Sequence, residues 1–156
     1  MRTFLTLIIS MLMSCEAFGQ RFDEYFTDST LRLDYIFAGD NHNQYIFFHE
    51  ATQTPGWYGR RSRLSETFLL GNGQLTLRDT LTHNVIYTTT FSTLFQEWQT
   101  EEEATHVKKS FENSYIVPFP KEAIEVTVTL RDTHHKITSE MKHVLSPDDI
   151  LISIVE

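Results

Sequence analysis

The sequence predicts an all-β fold, an antiparallel β-sandwich of about seven strands with one short helix, and three observations predict it. Apolar and polar residues alternate with a period of two through most of the chain beyond residue 30, as they do in strands that bury one face. Clusters of Gly, Asn, Asp and Thr interrupt that alternation at regular spacing, which is the pattern of a sandwich and not of alternating strands and helices. Only one segment carries a helical period. At 156 residues, the chain is long enough for one core and short for two.

The first strand is read in "LRLDYIFAG", where Leu31, Leu33, Tyr35 and Phe37 fall on one face and Arg32 and Asp34 on the other. "DNHNQ" supplies residues that tolerate turn dihedrals, and "QYIFFHE" resumes the strand before the "TPGWYG" turn. An antiparallel pair is expected. "LSETFLL" then leads into "GNG", whose two glycines permit the positive φ of a tight connection. "QLTLRD" and "NVIYTTTF", separated by "TLTH", read as a hairpin.

"STLFQEWQTEEEATH" breaks the period. Ser92 is the expected cap of a short helix, with Leu94, Phe95 and Trp98 sharing a face and Glu101 to Glu103 in solvent. The sheet resumes in "SFENSYIVPFP", "AIEVTVTLRD" and "KITSEMKHVL". The middle segment alternates almost ideally, Ile124, Val126, Val128 and Leu130 against Glu125, Thr127 and Thr129. Pro118 and Pro120 mark a turn or an edge strand. The closing "SPDDILISIVE" changes character, from a turn to an apolar run. The expected organisation is residues 1–19 as a signal peptide, 20–147 as the sandwich, and 148–156 as a last strand or a linker toward a domain outside this chain.

Export is expected from "MRTFLTLIISMLMSCEAFGQ", with basic Arg2, an apolar run from Phe4 to Met13, and small residues Ala17 and Gly19 before a cleavage at Gln20. The run is too short for a permanent membrane span. Cys15 in "LMSC" offers a second route, lipidation at a lipobox-like site, although Met13 fits such a box poorly. The protein is therefore expected in the periplasm, outside the cell, or, on the second route, anchored by lipid at the surface. Cleavage removes one acid, one base and the only cysteine, leaving the net charge at −8. Disulfide scaffolds and thiolate zinc sites are thereby excluded from the mature domain. The acidic balance argues against a nucleic-acid partner, and "GRRSR" reads as a solvated turn.

Motifs with chemistry are few. "HEATQ" begins like the H-E-x-x-H of a zinc protease, but Gln53 replaces the second histidine and Pro55 and Gly56 follow at once. The site needs two imidazoles one helical turn apart, so the stretch is read as strand. His134 and His135 are neighbours, which on a strand face opposite sides. The acidic triplet points its carboxylates in different directions, "DNHNQ" lacks the glycine and distal Glu of a calcium loop, and no G-x-S-x-G selects a serine nucleophile. No catalytic residue, metal ligand or cofactor is expected. Aromatic rings are the better functional residue type: Trp57, Tyr58 and Trp98 are candidates for a surface that meets a protein or glycan, as is Tyr45, while the two tryptophans fit a core equally well.

The stretches "FDEYFTDSTLRLDYIFAGD", "PGWYGRR", "LLGNGQLTLRD", "TFSTLFQEW" and "SFENSYIVPFPK" resemble the N-terminal domain of the IgA-peptidase-type secreted zinc metallopeptidases of Gram-negative gut bacteria. The resemblance runs from about Arg21 to about Ile152. It implies an N-terminal β-sandwich followed, in the same polypeptide, by a catalytic domain carrying H-E-x-x-H. This chain is expected to stop where that domain begins, so no catalytic residue is carried over. The implied role is a non-catalytic accessory domain with a metallopeptidase catalytic domain as partner, in cis or in trans. The alternative is a free-standing exported adhesin or carbohydrate-binding sandwich.

Overall fold

A computed structural model describes residues 21–155. The export residues Cys15, Ala17, Gly19 and Gln20 lie outside the described residues. The element order is α1 (Phe22–Tyr25), β1 (Phe26–Gly39), β2 (Gln44–Pro55), β3 (Gly73–Asp79), β4 (Val85–Phe91), α2 (Leu94–Gln99), a 3-10 turn (Glu102–Thr105), β5 (Lys109–Pro120), β6 (Ile124–Arg131), β7 (Ile137–Leu145) and β8 (Ile152–Ile154). Two four-stranded sheets form the sandwich, one ordered β5-β1-β2-β8 and the other β4-β3-β6-β7.

The expected sandwich is correct in class and differs in detail. Eight strands are present among the described residues where about seven were expected. The eighth comes from the apolar run after "SPDD" and lies parallel to β2, Ala51 opposite Ile152, so the first sheet is mixed and not purely antiparallel. β1 begins five residues before Leu31, at Phe26.

Alternation decides the core. Leu31, Leu33, Tyr35 and Phe37 on β1 are fully buried and meet Ile124, Val126, Val128 and Leu130 of β6, each at most 1% exposed. Each such side chain contributes about 1.5–3 kcal/mol by leaving water. Pro118 and Pro120 sit on β5, the edge of the first sheet, where a missing N–H costs least.

The polar side of the β6 alternation is largely buried as well. Thr127 and Thr129 are only 8% and 7% exposed. They stand in cross-strand rows with Thr76 and Gln74 of β3, and Thr76 is itself opposite Thr88 of β4. Branched side chains in adjacent rows of an inner strand shield one another.

The helix cap also shifts by one residue. Thr93, not Ser92, accepts from the Gln96 amide at 3.2 Å. Buried Asn72 fixes that choice, because its Oδ1 accepts from the Thr93 amide (2.9 Å) and its Nδ2 donates to the Thr93 hydroxyl (3.0 Å). Phe95 and Trp98 enter the core, whereas Leu94 remains 67% exposed. In a helix of six residues the buried face is a single i, i+3 pair wide.

Three turns are closed by aspartates. Asp40 Oδ1 accepts from the amides of His42 and Asn43, Asp79 Oδ1 from Leu81 and Thr82, and Asp132 Oδ1 from His134 and Lys136, all between 2.6 and 3.0 Å. Those amide bonds hold all three carboxyls below the usual carboxylate range. Of the "GNG" glycines only Gly71 uses positive φ (+79°); a Cβ there would lie 2.4 Å from the Phe91 carbonyl.

Candidate functional site

"HEATQ" lies within β2, where four residues of extended chain separate His49 from Gln53 by roughly 13 Å. Glu50 is engaged at 3.0 Å by the Arg32 guanidinium. The stretch does not form the helical turn that brings two imidazoles onto one ion. Among the described residues, no three His, Cys, Asp or Glu side chains gather as a metal site. His134 and His135 occupy the exposed β6–β7 turn, where the backbone of His135 is left-handed at φ +61°.

One histidine is placed unusually. His143, on the inward face of β7, lies 2.8 Å through Nε2 from the Tyr35 hydroxyl of β1 and stacks on Phe48 at 4.5 Å. It is a polar contact joining the two sheets. Burial lowers the imidazole pKa and raises that of Tyr35, so the neutral pair is the favoured form in the fold. Near it, the Tyr115 hydroxyl is buried without a hydrogen-bond partner in the protein.

The candidate aromatic surface separates into two outcomes. Trp57 is 5% exposed, donates from its indole to the Arg60 carbonyl at 3.1 Å and meets Tyr87 edge-on. Trp98 is 8% exposed and donates to Glu103 Oε2 at 2.8 Å. Both belong to the core, since each has its N–H satisfied and its ring packed, and neither offers a face to a partner. Tyr58 is fully presented, at 94% exposure.

A different aromatic pair is better placed. On the outer face of the first sheet Tyr45 and Phe47 are two residues apart on β2, about half exposed, with ring centroids 6.5 Å apart. Ala38 and Ile36 of β1 lie opposite them. Tyr45, Phe47, Ala38 and Gly39 form one side of a shallow groove of about 350 Å³, completed by Lys108, Lys109 and Ser110. Lys109 pairs with Glu103, and Lys108 stands 3.9 Å from Asp40. Tyr45 was among the sequence candidates and Phe47 was not. The signal existed, because period two puts both on the face opposite Ile46 and Phe48.

Two further concavities are lined by more polar residues. One, of about 270 Å³, is polar and lies at the end of the sandwich, where Gln44 bonds Gln99, Thr138 donates to Gln44, and Gln99 donates to the Asp40 carbonyl at 2.7 Å. Its amides join the sheets. The other, of about 660 Å³, is lined by the connection between β2 and β3, including Arg60, Arg63, Phe68 and Leu70.

The arginines of that connection have structural work. Arg60 donates to the carbonyls of Leu64, Glu66 and Thr88 and lies 5.0 Å above the Tyr87 ring. Arg61 pairs with Asp28 and covers Phe22. With the Thr88 amide donating to Leu64 O at 2.9 Å, the segment straps the open edge of β4. Two of the three arginines of "GRRSR" thus clamp the chain itself, while Arg63 stays in solvent, 3.9 Å from Glu66.

No helix among the described residues is long and apolar enough to cross a membrane. No curated protein matches the chain. The model of one family, Peptidase M64 N-terminus, matches residues 21–142, a span that takes in every strand from β1 to β6 and most of β7. The chain belongs to the Peptidase M64 N-terminus family.

Proposed function

We propose that this chain is the non-catalytic accessory domain at the front of a secreted zinc metallopeptidase of the IgA-peptidase type, packing against the catalytic domain or presenting a protein substrate to it. The family match over residues 21–142 carries the reading, since that family is named for the N-terminal part of the peptidase. The geometry agrees with it. Asp40, Asp79 and Asp132 close turns, Glu50 pairs with Arg32 and His143 with Tyr35, and the one stretch that opens like a zinc motif is a strand. The zinc chemistry of the family is accordingly assigned to a domain other than this one. Export follows from the leader-like first nineteen residues, with Ala17, Gly19 and Gln20 as the processing site and Cys15 as the alternative point of attachment.

The test is direct. The purified chain is incubated with protein substrates, with and without chelator, and no cleavage is expected in either arm. Chelator-sensitive cleavage would make the chain an enzyme and overturn the reading. The intact mass of the protein from its own cells reports processing and lipid in the same measurement.

A second reading, a glycan-binding or adhesive sandwich, is favoured by the Tyr45–Phe47 platform and the groove beside it. Flat rings on one sheet face, flanked by donors, suit a ring-shaped or peptide ligand. Binding on a glycan array that disappears in the Tyr45→Ala, Phe47→Ala variant would support it, and an array without signal would remove it.

A further inference from the structure

A sheet edge with unpaired backbone groups is a hazard that proteins guard, and here the four edges are treated unequally. β5 carries Pro118 and Pro120 within the strand. β4 is strapped by the Arg60–Leu70 segment through Leu64, Phe68 and Arg60. β7 alternates charge along its outer face, Lys142 standing 3.6 Å from Glu140. The edge formed by β8 has none of these devices. Its strand is "ISI", and Ile150, Leu151, Ile154 and Val155 are 96%, 76%, 73% and 51% exposed. Ile152 alone turns into the core.

Four large aliphatic side chains within six residues, beside an unpaired strand edge, are what an interface looks like before its partner arrives. We propose that the β8 edge, with Ile150, Leu151, Ile154 and Val155, is the docking surface for the catalytic domain of the peptidase. The proposal rests on the accessory-domain reading above. Two observations select this occupant. The family is the N-terminal part of a peptidase, so the remainder of that enzyme joins the domain through its C-terminal side. β8 is the last strand among the described residues and lies C-terminal to the matched span 21–142, on the side from which the remainder of such a peptidase is reached. A short tether gives an effective concentration in the millimolar range, so a modest apolar contact suffices to keep the two domains together. The prolines of β5, the strap on β4 and the paired charges of β7 leave β8 as the edge open to strand pairing.

Amide hydrogen exchange tests this on the 156-residue chain and on the polypeptide purified from the producing cells. In a longer native polypeptide the amides of Leu151 to Val155 are expected to exchange at least about ten-fold more slowly than in the short chain, with β5 unchanged. The pair Leu151→Lys and Ile154→Lys in the longer polypeptide is expected to abolish that difference, while leaving the Tm of the short chain unchanged because both side chains are exposed. Equal exchange at Leu151 to Val155 in the two proteins, or protection gained at Tyr45 and Phe47 or at Phe68 to Leu70 instead, overturns the surface and leaves the accessory reading standing. A native polypeptide no longer than this chain overturns the accessory reading, and the surface falls with it.

Discussion

β6 and β7 are hydrogen-bonded neighbours, yet their inward faces are built on different principles. β6 turns Ile124, Val126, Val128 and Leu130 into the sandwich without a polar atom. β7, opposite them, turns in Leu145, His143, Met141 and Ser139, and the imidazole is held between sheets by Tyr35 and Phe48. The first stripe stabilises by leaving water and is indifferent to pH. The second contributes only while it is neutral, which makes one margin of the core conditional on protonation.

The sharpest way to break the contrast is Val128→Asp. It places an unpaired carboxylate at a fully buried position, and loss of the cooperative unfolding transition by circular dichroism is the expected outcome. A folded Val128→Asp variant would refute the assignment of that face to the core. Next in size is Arg60→Ala, at the far edge of the same sheet, which removes a charged donor from the carbonyls of Leu64, Glu66 and Thr88. A loss of about 2–3 kcal/mol is expected in urea unfolding. Arg60→Lys should recover little of it, because an ammonium cannot reproduce a fork reaching three carbonyls.

His143 sharpens the comparison by pH. Its folded-state pKa is lowered by burial, so the unfolded chain binds the proton more readily. Stability from the neutral imidazole is fully present above the unfolded value of about 6.5 and is lost as pH falls below it toward the folded pKa. Tm is therefore expected to drop between pH 7.5 and 5.5, and His143→Gln, which keeps an acceptor for Tyr35, should flatten that limb. A wild-type Tm constant over this range would show that the contact carries no linkage. The smallest effect is expected at the turn joining the two strands. Asp132→Ala should lower Tm by about 2–3 °C and blunt the acid limb below the usual carboxylate range, since amide bonds from Lys136 and His134 lower the pKa of Asp132 in the folded state.

Where short-range chemistry sets the structure, it was legible. The alternation on β6, the β3–β4 hairpin and the "DNHNQ" turn with Asp40 are each determined by neighbours within a few positions. Where a distant residue decides, the reading drifted. Thr93 displaced Ser92 as the helix cap because Asn72, twenty-one positions earlier, bonds it. Thr127 and Thr129 look solvent-facing in one strand and are shielded only once β3 and β7 flank it. Trp57 and Trp98 were read as fitting a core as well as a partner surface, but the bonds to Arg60 and Glu103 that satisfy their indoles lie beyond that reading. The arginine strap is beyond any local pattern, because its meaning lies in the carbonyl of Thr88. For the candidate surfaces, Tyr45 was named from its type, Phe47 was implied by period two, and the unguarded character of β8 emerges only by comparison with three other edges.

The pairing of β1 with β5 sets a clock on folding. β1 finds β2 through a four-residue turn, but its other partner begins at Lys109, with Gly39 opposite that residue and Phe26 opposite Pro120. On a ribosome or emerging from a translocation pore, the first long strand of the domain is therefore half-paired until about eighty further residues have followed it. Closure of so long a loop is slow, on the order of milliseconds to seconds for sandwiches of this kind. During that interval one flank of the central strand is open to any other extended chain. A holding chaperone at the exit would find its substrate there, and productive folding would be timed by the arrival of "SFENSYIVPFP".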